Sequence, residues 1–258
     1  MKPNLDDVLD FFFWGLEVFS RRDCVLILTG LRQCESDWQA NQRLARWERR
    51  QWIKRKGRGA NACFAVTATG AKQRRVMDPA AHWHAVWDGQ WRLFTYDLPE
   101  KRRSERVRLW RALHAHKLGW LQRSVWVWPH AVESILQDVL QATGIPKCFC
   151  GLAGERLLLC TDTELVCASW DFQRIGECHR DYIAAVPRFL ESLQSASNLQ
   201  EIARVAGSER AAYDTAFSLD PLLPRRLWPK SYAGPAVLQR HTRFRSQLRR
   251  RTRALGAP

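Results

Sequence analysis

The chain has no long apolar run. No stretch reaches the roughly 18 apolar residues that a membrane-spanning helix needs. The nearest, Phe11 to Phe19, is short and holds Glu17. The N-terminus carries Asp6, Asp7 and Asp10 where a secretory leader would have basic residues and then an apolar core, so no leader is read there. A C-x-x-C pair is also missing. Cys148, Cys150, Cys160, Cys167 and Cys178 cluster in sequence, but Cys148 and Cys150 are separated only by Phe149. Zinc sites usually space two thiolates by two residues. Cys160 and Cys167 lie on apolar, strand-like stretches, so the cysteines read as reduced thiols in a cytoplasmic protein and no metal is expected. No glycine-rich loop precedes a helix, and Ser124, His130 and Asp138 lack a nucleophile elbow. No cofactor is implied.

Acidic residues are the other shortage. Asp and Glu number 26 against 41 Lys and Arg, a net charge of +15 with a pI near 10.0. No acid follows Asp220. Such a surface favours polyanions: nucleic acid, an anionic membrane face or a phosphorylated ligand. The chain is otherwise ordinary for a globular protein, with 46% hydrophobic and 26% charged residues, which excludes intrinsic disorder. Its 258 residues suggest more than one domain, and 13 tryptophans suggest filled cores or stacking surfaces.

The apolar pattern divides the chain. Leu5, Val8, Leu9, Phe12, Phe13 and Leu16 recur at helical spacing. A short apolar segment runs from Asp23 to Leu31. A helix then starts at Ser36, a good N-cap, with Ala40, Leu44 and Trp47 on one face. Trp52 to Lys56 and Ala62 to Val66 read as two strands around Gly57-Arg58-Gly59-Ala60-Asn61. Three helices and a hairpin give the order of a winged helix-turn-helix over residues 1–77. Residues 78–89 form a packed connector. Trp91 to Tyr96 is a strand, and Arg102 to Lys117 a helix ended by Gly119 in the C′ place. Trp120 to Trp128 is one long strand or two short ones. Ala131 to Thr143 is a helix closed by Gly144, and Arg156 to Cys160 a strand. This βαββαβ order is ferredoxin-like and is assigned to residues 90–165. Residues 166–258 read as a helical C-terminal domain, with stripes over Tyr182 to Leu193 and Ile202 to Phe217 and a basic helix over Ala236 to Arg253. The fold class expected is α+β.

Charge concentrates between Arg43 and Arg58, where eight basic residues face Glu48 alone. The helix face opposite Ala40, Leu44 and Trp47 carries Gln39, Gln42, Arg46 and Arg49, with Arg43 beside it. Gln can bond adenine bidentately and Arg can bond guanine. Gln42 and Arg46 are the expected base contacts. The hairpin residues Lys54, Arg55, Lys56 and Arg58 could reach phosphates or the minor groove, with Lys54 and Arg55 the expected phosphate contacts. Two further basic runs, Lys101 to Arg111 and Arg240 to Arg253, could touch flanking backbone or simply solvent. The pairs His82-Trp83-His84 and His114-Ala115-His116 have the spacing to share a metal only on a strand.

Trp91 to Arg103, followed by Leu118 to Pro129, resembles the middle domain of the PaaX-like family, bacterial transcriptional repressors of aromatic-acid catabolism. Asp220 to Pro224, Leu227-Trp228-Pro229 and Tyr232-Ala233-Gly234 resemble that family's third domain, and Ala168 to Asp171 with Tyr182 its helical start. Arg46-Trp47, Trp52-Ile53 and Phe64 to Gly70 stand at matching places of its winged helix. Gln51 occupies a position where members commonly have Gly, and Asn41 one where Arg is common, so no operator sequence is implied. The resemblance implies a dimeric, DNA-binding repressor released by an aryl-acyl-CoA, and not an enzyme. The middle segment also resembles the small nuclease-fold subunit of CRISPR spacer acquisition, in which an Asp ending the first strand is associated with metal-dependent cleavage. Asp97 stands there, and is equally a turn or capping residue. A metal-dependent nuclease and a non-sequence-specific nucleic-acid binder are the competing functions.

Overall fold

The structure, a computed structural model, describes residues 15, 19, 21–31, 37–59, 62–73, 79–146, 148–155 and 157–255. The N-terminal stripe from Leu5 to Leu16, the Ser36 cap and the hairpin residues Ala60 and Asn61 lie outside these. The protein is mixed α+β. Two compact units are seen: Met1–Met77 with His179–Phe217 and Gly234–Pro258, and Asp78–Cys178 with Ser218–Ala233. Residues 166–258, expected as one helical domain, thus contribute to both.

In the first unit, α1 (Arg22–Leu31) and α2 (Asp37–Arg49) precede strands β1 (Ile53–Lys56) and β2 (Cys63–Val66) and helix α3 (Ala68–Gln73). The strands pair antiparallel, Ile53 opposite Val66 and Lys56 opposite Cys63. Helix α1 buries two faces. Val25 and Leu26 pack with Ala40, Leu44 and Trp47 of α2 and with Ile53 and Phe64 of the hairpin. Cys24 packs instead with Leu193, Ile202, Ala203, Ala206, Phe244 and Leu248. Those residues belong to three later helices, α8 (Phe172–Ser195), α9 (Leu199–Ala216) and α10 (Gly234–Ala254). Burial pushes the Cys24 thiol up to about 11 and makes it an inert packing group. The three late helices share a buried polar tie. The Tyr182 hydroxyl donates to Glu209 Oε1, and His241 Nδ1 lies 2.9 Å from the same oxygen. A carboxylate this buried is tolerable only with such partners.

The second unit opens with α4 (Pro79–Trp83), whose buried Trp83 packs edge-on against Trp228 and Tyr232. Then follow β3 (Trp91–Tyr96), α5 (Arg103–Ala115), β4 (Gly119–Gln122), β5 (Val125–Trp128), α6 (Glu133–Thr143), β6 (Phe149–Gly154) and α7 (Asp162–Ser169). The sheet order is β4-β5-β3-β6, with every pairing antiparallel. Alternation in the strands sends side chains to opposite faces. Phe94 and Trp126 meet Leu109, Leu113 and Val139 on one side. Trp91 and Val127 meet Val166, Trp170 and Leu227 on the other.

Two expectations are corrected. The last strand is Phe149–Gly154, not Arg156 to Cys160. Leu158 and Leu159 are 75% and 108% exposed, and Cys160 is exposed beside them. Only Leu157 of this run reaches a core, beside Trp91 and Val127, so the run is not held extended as a strand. Cys167 likewise lies exposed on α7, not on a strand. Second, Lys117 and not Gly119 takes the left-handed place after α5, at φ 58. Its N–H donates to His114 O and that of Leu118 to Leu113 O, the paired closure of a helix C-terminus. Gly119 is small for another reason: a β-carbon there would lie 2.6 Å from Cζ2 of Trp170. Gly144, at φ 64, does close α6 as expected.

Candidate nucleic-acid interface

Helix α2 is sorted sharply. Ala40, Leu44 and Trp47 are buried, while Trp38, Gln39, Gln42, Arg46 and Arg49 are exposed. Arg43 is half-buried at the edge of that face. The expected base-contacting residues Gln42 and Arg46 stand one turn apart on the solvent side. Arg22 of α1 donates to Asn41 Oδ1 at 3.0 Å, a tie between the two helices.

The helix stops at a left-handed residue. Gln51 sits at φ 57, its N–H donating to Glu48 O at 2.9 Å and that of Trp52 to Trp47 O at 3.0 Å. This is the closure that glycine makes most easily. The chain leaves directly into β1. Ile53 turns into the core, and Lys54, Arg55, Lys56, Arg58 and the glycines at 57 and 59 are exposed. Gly57 and Gly59 both have positive φ, 82° and 63°, which the tight connection requires.

The basic side chains are not equivalent. Arg55 NH2 lies 2.9 Å from Glu48 Oε2, and its guanidinium rests 5.3 Å from the Phe64 ring centroid. It therefore also braces the hairpin against α2. Arg50 lies over the Trp52 ring at 4.9 Å. With Glu48 engaged by Arg55, the exposed array of Arg46, Arg49, Lys54, Lys56 and Arg58 can hold a polyanion whose charges repeat along a groove. Trp38 was not among the expected site residues. Its spacing of four from Gln42 already placed it on the same face.

The other candidate chemistry does not assemble. Asp97 is exposed, and its N–H donates to Cys148 O at 3.2 Å. Among the described residues, no three His, Cys, Asp or Glu side chains gather to hold a metal ion. His82 and His114 lie on helices, where a partner two residues away points elsewhere.

Residues 84–166 match the family described as the PaaX protein central Cas2-like domain. The likeness is to that central domain, over these residues. A solved structure, the uncharacterized protein Rv0674 from Mycobacterium tuberculosis, is similar over 95% of each chain with a TM-score of 0.53. At 19% identity that likeness shows a shared fold. No curated protein matches the chain.

The matched segment carries the second basic run. Arg102 pairs with Glu105, and Arg106 donates to Leu98 O at 2.9 Å, while Arg103, Arg108 and Arg111 are exposed. In the last helix, α10, Arg240, Arg243, Arg249, Arg250 and Arg253 are exposed. Arg251 turns inward and donates to Ala196 O at 2.6 Å. A cleft of about 220 Å³ lies between α8 and α10, floored by Leu190 and Leu193 and bordered by Gln194, Gln247, Arg250 and Arg251. Among the described residues, no helix is long and apolar enough to cross a membrane.

Proposed function

We propose that this PaaX-like protein is a DNA-binding transcriptional regulator, a homodimeric repressor whose winged helix-turn-helix reads an operator. Helix α2 enters the major groove with Gln39, Gln42, Arg43, Arg46 and Arg49. The β1–β2 hairpin is the wing, with Lys54, Arg55, Lys56 and Arg58 on the backbone. A two-fold dimer presents two such helices to half-sites about one helical turn apart. A small effector such as an aryl-acyl-CoA releases the operator by binding the DNA-incompetent arrangement better.

The observation that carries the reading is the exposure of Gln39, Gln42, Arg46 and Arg49 on α2, beside an exposed basic hairpin, while Ala40, Leu44 and Trp47 on the opposite side are buried. Amide and guanidinium groups in solvent on one helix face are the groups that recognise base edges. Selection of bound duplexes from a randomised pool tests it. The expected product is one discrete motif, with two related halves. A bound pool no different from the starting pool overturns the reading.

A further inference from the structure

Trp38 is 69% exposed, although Ala40, Leu44 and Trp47 of the same helix are at most 1% exposed. A lone apolar residue in solvent is ordinary on a protein surface. The position of this one is not. Positions 38, 42, 45 and 49 succeed one another at three or four residues, so Trp38 stands in line with Gln42 and Arg49, one turn nearer the N-terminus than Gln42. Two residues along a helix turn the chain by about 200°, so Trp38 points away from the core that Ala40 enters. The indole thus heads a stripe that continues with Gln42, the small Ala45 and Arg49.

A helix lying in the major groove presents its N-terminal residues to base edges. That groove offers one apolar group, the C5-methyl of thymine. A broad indole covers a methyl group and removes it from water, while Gln42 and Arg46 are suited to hydrogen-bond neighbouring pairs. We propose that Trp38 specifies a thymine by covering its C5-methyl group. The inference rests on the reading of α2 as the recognition helix and names one base that it recognises.

The test uses the full chain and the duplex selected from the randomised pool. Each thymine is replaced singly by deoxyuridine, which lacks only the methyl group. Affinities are measured for the wild type, Trp38→Ala and Trp38→Phe. At one thymine the replacement weakens wild-type binding about fourfold, the factor that burial of one CH₂-sized group supplies. The same replacement leaves Trp38→Ala unchanged, and Trp38→Phe keeps part of the discrimination. Binding of Trp38→Ala to random duplex stays near wild type. The proposal is overturned if no replacement behaves differently in wild type and Trp38→Ala. An equal loss by Trp38→Ala on selected and random duplex also overturns it. In either case a selected motif still upholds the reading of α2. A pool that yields no motif overturns both.

Discussion

A β-carbon on residue 70 would lie 2.0 Å from the carbonyl oxygen of Trp52, so Gly70 packs directly on the backbone where α2 hands over to the hairpin. The same oxygen accepts the Thr67 N–H at 3.0 Å. Both ends of the hairpin are thereby fixed to one point. Gly70→Ala must push backbone against backbone, and overpacking of this kind costs about 1–3 kcal/mol. Urea denaturation should show that loss, together with weaker DNA binding. A midpoint equal to wild type contradicts the packing.

Gln51 holds a left-handed backbone at φ 57 with its side chain exposed. An L-residue there is disfavoured by about 1 kcal/mol. Gln51→Gly should stabilise the chain by up to that amount, and Gln51→Val should destabilise it. A lower melting temperature for Gln51→Gly would show that the side chain contributes more than the backbone costs.

His114 lies among Trp110, Trp120 and Trp126, with ring centroids 4.0, 6.1 and 5.0 Å away. Burial holds its pKa below the ordinary 6.5, and burial does the same for His130. Between the folded and unfolded values the unfolded chain binds more protons. The stability these groups contribute is therefore present above 6.5 and lost as pH falls through the depressed values. Denaturation at about pH 7.5 and about pH 5.5, the range over which histidine titrates, should show a drop that His114→Phe reduces. An identical drop in both proteins argues against this origin.

Much of this architecture was legible in the residues. Ala40, Leu44 and Trp47 marked the buried side of α2, and Gly57 and Gly59 the hairpin connection. What misled was local apolarity without a partner. Leu157 to Leu159 looks like a strand but pairs with none, and only Leu157 reaches the core, whereas Phe149 to Gly154, with glycines at 151 and 154, looks like a loop and pairs with β3. Pairing across the sheet decides between them, and that is a long-range fact. Gly119 looks like a helix end because glycine favours left-handed backbone. Its actual constraint, the Trp170 ring, lies fifty-one residues away in sequence. Trp38 stands four residues before Gln42, so its outward place follows from spacing, yet an apolar residue invites assignment to a core even when the helix turns it outward. The second face of α1, built on Cys24, could not be read locally, because its partners come from α8, α9 and α10.

Lys54 and Arg55 should separate in their effect on DNA binding. Arg55 is engaged by Glu48, and Lys54 stands exposed on the hairpin. Each phosphate contact contributes about 0.9 to the slope of log K against log salt. Lys54→Gln should lower the slope by nearly that much, and Arg55→Gln by less while also loosening the hairpin. Equal slopes for Lys54→Gln and wild type would remove this residue from the interface.

The central claim is that α2 reads base edges, and Gln42→Ala tests it most directly. Affinity is measured on the selected duplex and on random duplex at one salt concentration. The account predicts a loss of about 1–3 kcal/mol on the selected duplex, little change on random duplex, and relaxed preference at one base pair. An equal loss on both duplexes, with every position still specified, would contradict it.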